Sequence, residues 1–144
     1  PLAFLARRVI RAPHLNAAYQ TLSGPEFDAR ADAVIPGEGP PVPRSGGTVH
    51  GMREGPERIE LDVTAGPGGS LLVVQRSAHL WEAEIDGKPA EVVTANLYRL
   101  GVQVPAGRHR VVFRIDRRPL ARSFFGVALA LALLPALAWW SGRR

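Results

Sequence analysis

Four histidines, two glutamates two residues apart, a glycine-rich stretch and one tryptophan in an alternating segment are the residues of this chain that could do chemistry. The histidines are His14, His50, His79 and His109, and no two share the i, i+2 or i, i+4 spacing that places two ligands on one face of a strand or helix. A metal site would have to be assembled from distant loops, so the four read as surface or interface histidines, with His109 beside a turn. Glu82 and Glu84 fall on one face of a strand by its period of two, which is how a general acid/base pair could be presented. The same spacing makes them the solvated face opposite Trp81, Ala83 and Ile85, and this is the expectation. No G-x-S-x-G marks a serine nucleophile, and Ser45-Gly-Gly47 falls in a loop. Gly66-Pro-Gly-Gly69 lacks the lysine and following helix of a phosphate-cradling loop, so it reads as a hairpin turn. Trp81 could serve as a sugar platform, but a core tryptophan of a β-sandwich is the preferred reading. No catalytic, cofactor-binding or metal-ligating residue is assigned.

The elements that would position these residues are short strands. Ile59, Leu61 and Val63 alternate with Glu60 and Asp62, giving one buried and one wet face. Leu71-Leu-Val-Val74 is continuously apolar, as suits a central strand covered on both sides. Trp81, Ala83 and Ile85 alternate up to Asp86-Gly87, a dipeptide suited to the positive φ angles of a tight hairpin turn, and Pro89 to Val93 reads as the return strand. Leu100, Val102 and Val104 alternate again, Pro105-Ala-Gly107 turns the chain, and Val111, Phe113 and Ile115 alternate with Arg110, Arg114 and Asp116. Upstream, residues 2–11 read as an edge or first strand, Asn16 to Ser23 as a short helix with Asn16 as N-cap and Gly24-Pro25 as its stop, and Ala33-Val-Ile35 as another strand. Residues 36–56 are so rich in proline and glycine that they read as a loop. The fold expected is mainly β: an immunoglobulin-like antiparallel β-sandwich with a short N-terminal helix.

The last 23 residues are of another kind. Ser123 to Gly142 is an uncharged run of 20 residues between Arg122 and Arg143-Arg144. At about 1.5 Å per helical residue it spans roughly 30 Å, the depth of a bilayer's hydrocarbon core. Phe124 and Phe125 stand at one end and Trp139 and Trp140 at the other, where aromatic rings favour the headgroup region. The domain reading is therefore a β-sandwich over 1–121, including the loop 36–56, and a single transmembrane helix with a short tail over 122–144. Gly126 and Ala130 form one small-residue row, and Ala128, Ala132 and Ala136 a second, which lets a neighbouring helix approach closely. Pro135 bends that helix or leaves the carbonyl near Leu131 unpaired. No charged residue lies inside the run, so an ion or proton path through it is not expected.

The net charge of +5 comes from 17 arginines and one lysine against 13 acids. Its dense part, Arg108 to Arg122, leads into the apolar run, and Arg117, Arg118, Arg122, Arg143 and Arg144 read as membrane-interface residues facing acidic headgroups. No motif or stacking platform accompanies the charge, so nucleic acid is not an expected partner. The absence of cysteine removes disulfides, thioether-linked haem and thiolate metal sites without fixing a compartment. The N-terminus does not have the order of charged, apolar and small residues of a signal peptide. Pro1 is compatible with initiator-methionine removal, while Leu2 to Ala6 also reads as the middle of a β-strand, as in a piece of a longer chain.

Trp81-x3-Ile85-Asp86-Gly87-Lys88-Pro89, Asn96, Gly101-Val-Gln-Val-Pro105-Ala-Gly107-x-His109-x-Val111 and Pro119 before an apolar run resemble the C-terminal end of the YfhO family of polytopic bacterial membrane proteins. Ala17-Ala-Tyr-Gln-Thr-Leu22, Phe27-Asp28 and Ala33-Val34 extend that resemblance over roughly residues 1–142. It implies an extracytoplasmic β-sandwich closed by a last transmembrane helix, in proteins linked to glycosylation of cell-envelope polymers or lipids. The many helices that precede this region in the family, where its catalytic residues are expected, are not in this chain. Positive charges flank the apolar run three to two, which barely orients it. The resemblance puts the soluble module in the periplasm, at the bacterial inner membrane, and the lack of a signal peptide points the other way. The expectation is a non-catalytic accessory subunit of a larger membrane complex, respiratory or photosynthetic, with integral membrane proteins and lipids as partners. The alternatives are the C-terminal fragment of a YfhO-like glycosyltransferase and a cytoplasmic tail-anchored protein.

Overall fold

The alternation that makes Ile59, Leu61 and Val63 one face of a strand is realised in β6 (Arg58–Ala65), where all three are fully buried. The computed structural model describes residues 2–39 and 42–116. β6 pairs along its whole length with β12 (Gly107–Ile115), which also receives β8 (Trp81–Ile85) on its other side. With β5 (Gly47–Glu54) and β9 (Lys88–Ala90) at the edges, these form a five-stranded antiparallel sheet in the order β5-β6-β12-β8-β9. A four-stranded antiparallel sheet faces it, ordered β1 (Ala3–Leu5), β7 (Ser70–Ser77), β11 (Arg99–Val104), β10 (Val92–Ala95). Ile59, Leu61, Val63, Val111 and Phe113 from the first sheet meet Leu72, Val74, Leu100, Val102 and Val104 from the second in one buried layer.

The continuous run Leu71 to Val74 is explained by a third layer. Leu72 and Val74 face the five-stranded sheet, while Leu71 and Val73 face the opposite way, packing with Phe4, Val9, Ala33 and Ala95. The cover on that side is a small sheet in which β2 (Arg8–Ala12) lies between β3 (Asp32–Pro36) and β4 (Val42–Pro43). β2 and β3 are parallel, so the chain needs a crossover between them, and α1 (Leu15–Ser23) supplies it. The fold is thus mainly β, with antiparallel sheets and one short helix. The Asp86-Gly87 turn has φ angles of 51° and 79°, both positive as a tight β8–β9 hairpin requires.

Several expectations are corrected. The stretch 36–56 is not wholly a loop: its second half forms β5, which pairs with β6 and bulges between Val49 and Gly51. β5 is an edge strand with mostly exposed side chains, so its extended state comes from the ladder offered by β6 rather than from its own apolar pattern. Gly66 to Gly69 is not a hairpin turn, because it carries the chain from the five-stranded to the four-stranded sheet. The turn packs tightly there: a Cβ on Gly69 would lie 2.6 Å from the Val104 carbonyl oxygen. Residues 2–11 form two strands in different sheets, and the return strand after Asp86-Gly87 likewise divides into β9 and β10. The helix begins one residue earlier than expected and is capped by His14, whose Nδ1 accepts the Ala17 amide proton at 3.1 Å. A ring nitrogen can accept that bond as an asparagine oxygen would.

Candidate functional site

Several of the described titratable residues hold strands together. His109, on β12, approaches Asp86 through Nδ1 at 2.6 Å and the Ala106 carbonyl through Nε2 at 3.2 Å. Both partners are acceptors, so the doubly protonated ring satisfies both at once. The hydrogen bond to Asp86 accordingly raises the His109 pKa, and the bond from His109, joined by the Arg110 amide, lowers that of Asp86. The arrangement pins the Asp86-Gly87 turn to β12. His50 bonds the Thr64 hydroxyl at 2.8 Å across the β5–β6 pair. Among the described residues no three histidines, aspartates or glutamates gather as a metal site would require.

Glu84 receives Arg114 at 3.0 Å, and Glu60 receives Arg110 at 2.5 Å and Arg58 at 2.6 Å. The outer face of the five-stranded sheet is therefore a lattice of ion pairs between β12 and the strands beside it. Arg110 holds the Glu60 carboxyl below the usual range against the opposing effect of burial, with Arg58 adding to the lowering. A carboxylate kept ionised in this way is suited to pairing with arginine rather than to donating a proton. Trp81 differs from the expectation of a core tryptophan. Its ring is half-buried, packing against the inter-sheet core while lining an open groove of about 410 Å³ with Glu82, Glu84, Pro89 and Arg114.

On the opposite side of the molecule Asp32 is buried and takes two bonds from Arg8, at 3.3 and 2.5 Å, with a third from the Asp28 amide at 3.0 Å. Burial by itself pushes the Asp32 pKa up, but the bonds from Arg8 and Asp28 outweigh it and leave the carboxyl below its usual value. A lowered folded pKa gives stability that is complete above the unfolded value and lost as pH falls through the folded one. Stability is therefore expected to fall below about pH 4, and less so in Asp32→Asn, which starts weaker. Urea midpoints measured across this range check it; parallel curves for the two proteins would contradict the assignment.

A further surface lies where β12 ends. The Ile115 amide donates to Glu57, and the Asp116 amide to Leu80, at 3.1 and 2.6 Å. At the same end the Ala78 amide donates to Tyr98 and the Gln75 amide to Leu2. Leu80 and Tyr98 are the last residues of their turns, directly before β8 and β11, 52% and 54% exposed, and the Arg99 guanidinium lies 5.3 Å from the centre of the Tyr98 ring. Sequence reasoning passed over both residues, although a large apolar side chain in a turn, where glycine or a polar residue is usual, was the available signal.

Gly126, Ala128, Ala130, Ala132 and Ala136, with Arg117, Arg118, Arg122, Phe124, Phe125, Trp139, Trp140, Arg143 and Arg144, lie outside the described residues. Among the described residues no helix is long and apolar enough to cross a membrane. No protein-family model matches the chain, and no match is found among curated proteins or solved structures. The likeness to the YfhO family rests on the quoted residues themselves.

Proposed function

We propose that this chain is a non-catalytic accessory subunit, anchored at the bacterial inner membrane by residues 123–142, that stabilises a larger membrane complex. The observation that carries this reading is the uncharged run of 20 residues that follows β12 after a short arginine-rich tether. The β module fits the role of a soluble domain on such an anchor. Its strand order supports an immunoglobulin-like sandwich: β1-β7-β11-β10 and β12-β8-β9 correspond to the A-B-E-D and F-C-C′ sheets of that fold, with β6 in the place of its last strand. The ion pairs and caps described above serve this architecture. The YfhO likeness favours a periplasmic module, and the small-residue rows of the anchor favour packing among partner helices.

Isolation in mild detergent followed by native mass measurement is expected to find the chain bound stoichiometrically to other integral membrane proteins. A clean monomer would sink the subunit reading. Gly126→Leu with Ala130→Leu is expected to reduce the yield of that complex severalfold while leaving the melting of the β module unchanged, and an unaltered yield would count against this helix face.

A second reading, that the chain is the end of a YfhO-like glycosyltransferase, is favoured by the partly buried Trp81 ring that lines an open groove, since aromatic rings are common sugar platforms. The reading frame upstream of Pro1 separates the two. About a dozen further apolar segments in frame support the enzyme, and a start codon immediately before Pro1 supports the subunit.

A further inference from the structure

Single exposed apolar residues are ordinary on a protein surface, but the gathering of four of the five large ones at one end is not. Among the described residues the large exposed ones are Leu2, Leu15, Tyr19, Leu80 and Tyr98. The hydrogen bonds from Gln75 to Leu2, from Ala78 to Tyr98 and from Asp116 to Leu80 place three of these at the end from which the chain leaves β12. Leu15 belongs with them, lining an apolar hollow of about 160 Å³ with Leu97 from the same turn as Tyr98. The turns at the other end of the two main sheets, 66–69, 86–87 and 105–106, carry none of the five.

Two leucines of this end sit in backbone conformations that suit glycine or asparagine better: Leu80 has φ 67° and Leu97 has φ 75°. A left-handed conformation costs a residue with a Cβ about 1–2 kcal/mol. Leu80, 52% exposed, regains little of that cost by burial. Of the charged residues at this end, Glu54 is paired with Arg76, and the Arg99 guanidinium stands over the Tyr98 ring. Arg117, Arg118 and Arg122 follow β12 in the sequence.

The chain itself limits what can cover this end. Only residues 117–122 separate Asp116 from the apolar run that starts at Ser123. Fully extended, that connection spans roughly 25 Å, so an anchor in a bilayer keeps the end bearing Asp116 within that distance of the lipid surface. We propose that this end is a second membrane contact: Leu80 and Tyr98 enter the headgroup region of an anionic bilayer, with Leu2 beside them and Arg99 at the phosphates. This rests on the anchored reading above and adds an orientation to it. The module stands upright, with the Asp86-Gly87 turn farthest from the lipid. Tyrosine and arginine are side chains that favour this interfacial depth, an apolar body below and a polar head above.

The chain contains no cysteine, so a single nitroxide can be placed through Leu80→Cys, Tyr98→Cys or, at the far end, Lys88→Cys. The labelled full chains are reconstituted into vesicles of phosphatidylcholine with phosphatidylglycerol and floated. Collision of each label with a water-soluble nickel chelate is then measured by power-saturation electron paramagnetic resonance. The expected result is flotation of all three, with nickel accessibility at positions 80 and 98 severalfold below that at 88. Flotation with equal accessibility at the three positions would overturn the second contact and leave the anchor standing. Failure to float would overturn the anchor and the contact together. Labels at 80 and 98 that are shielded in a detergent-purified complex but open in vesicles would show that this end meets a protein, and would overturn the lipid assignment.

Discussion

Phe113→Ala is expected to lower the stability of the β module by about 3–5 kcal/mol, enough to leave much of it unfolded at 37 °C. Phe113 is the largest of the fully buried side chains and lies on the central strand of the five-stranded sheet, opposite Ile59 on one side and Ala83 on the other. Its ring fills the layer between that sheet and the Leu72, Val74, Leu100 and Val102 face of the other. Two well-formed sheets cannot close readily on the space it leaves, so both the transfer term and the cavity term are incurred. Near-ultraviolet circular dichroism on heating checks this, with a midpoint expected about 15 °C lower. Leu80→Ala, which removes an exposed side chain, is the control and is expected to leave the midpoint almost unchanged. A Phe113→Ala midpoint within a few degrees of the parent would contradict the two-sheet core.

Asn96→Leu is expected to cost about 2–4 kcal/mol, by two separable routes. Asn96 is buried in the turn between β10 and β11, and its backbone φ is 47°. Its Oδ1 accepts the Val34 amide proton at 2.7 Å, while its own amide donates to the Val34 carbonyl at 2.8 Å. This reciprocal pair fastens the third sheet to the end of the second. Leucine leaves the Val34 N–H without an acceptor in a buried place and adds the cost of a left-handed conformation. Asn96→Gly loses the acceptor but relieves the backbone, so it is expected to be milder than Asn96→Leu by about 1 kcal/mol. Hydrogen exchange at Val34 accelerates in both variants. Protection at Val34 equal to the parent's would show that the side chain does not hold this joint.

Much of the two main sheets could be read directly from alternation. Ile59, Leu61 and Val63, then Val111 and Phe113, are buried as a period of two requires, and the unbroken Leu71 to Val74 run sits in a sheet covered on both faces. Asp86-Gly87 adopts the conformation its dipeptide favours. What alternation could not reveal was contact between distant segments. β5 is extended because β6 lies beside it, and Gly66 to Gly69 changes sheets because β7 pairs with β1 and β11. The Asn96–Val34 joint spans 62 residues and the Arg8–Asp32 pair 24, so neither leaves a local signature. Asn96 did stand among the motif residues that suggested the YfhO likeness, and the structure gives it a physical task in the fold. The candidate site was less legible. His109 and Glu84, which drew chemical interest, are occupied in pairing, whereas Leu80 and Tyr98 gain meaning only from the point at which the chain leaves β12.

The central claim is that residues 123–142 hold this module at a bilayer. Membranes from cells producing the full chain, or a chain ended at Asp116, can be washed with alkaline carbonate and the pellet and supernatant compared. The full chain is expected to remain in the membrane pellet and the shortened chain to be released as a folded β module. Release of the full chain into the supernatant with its module intact would contradict the account.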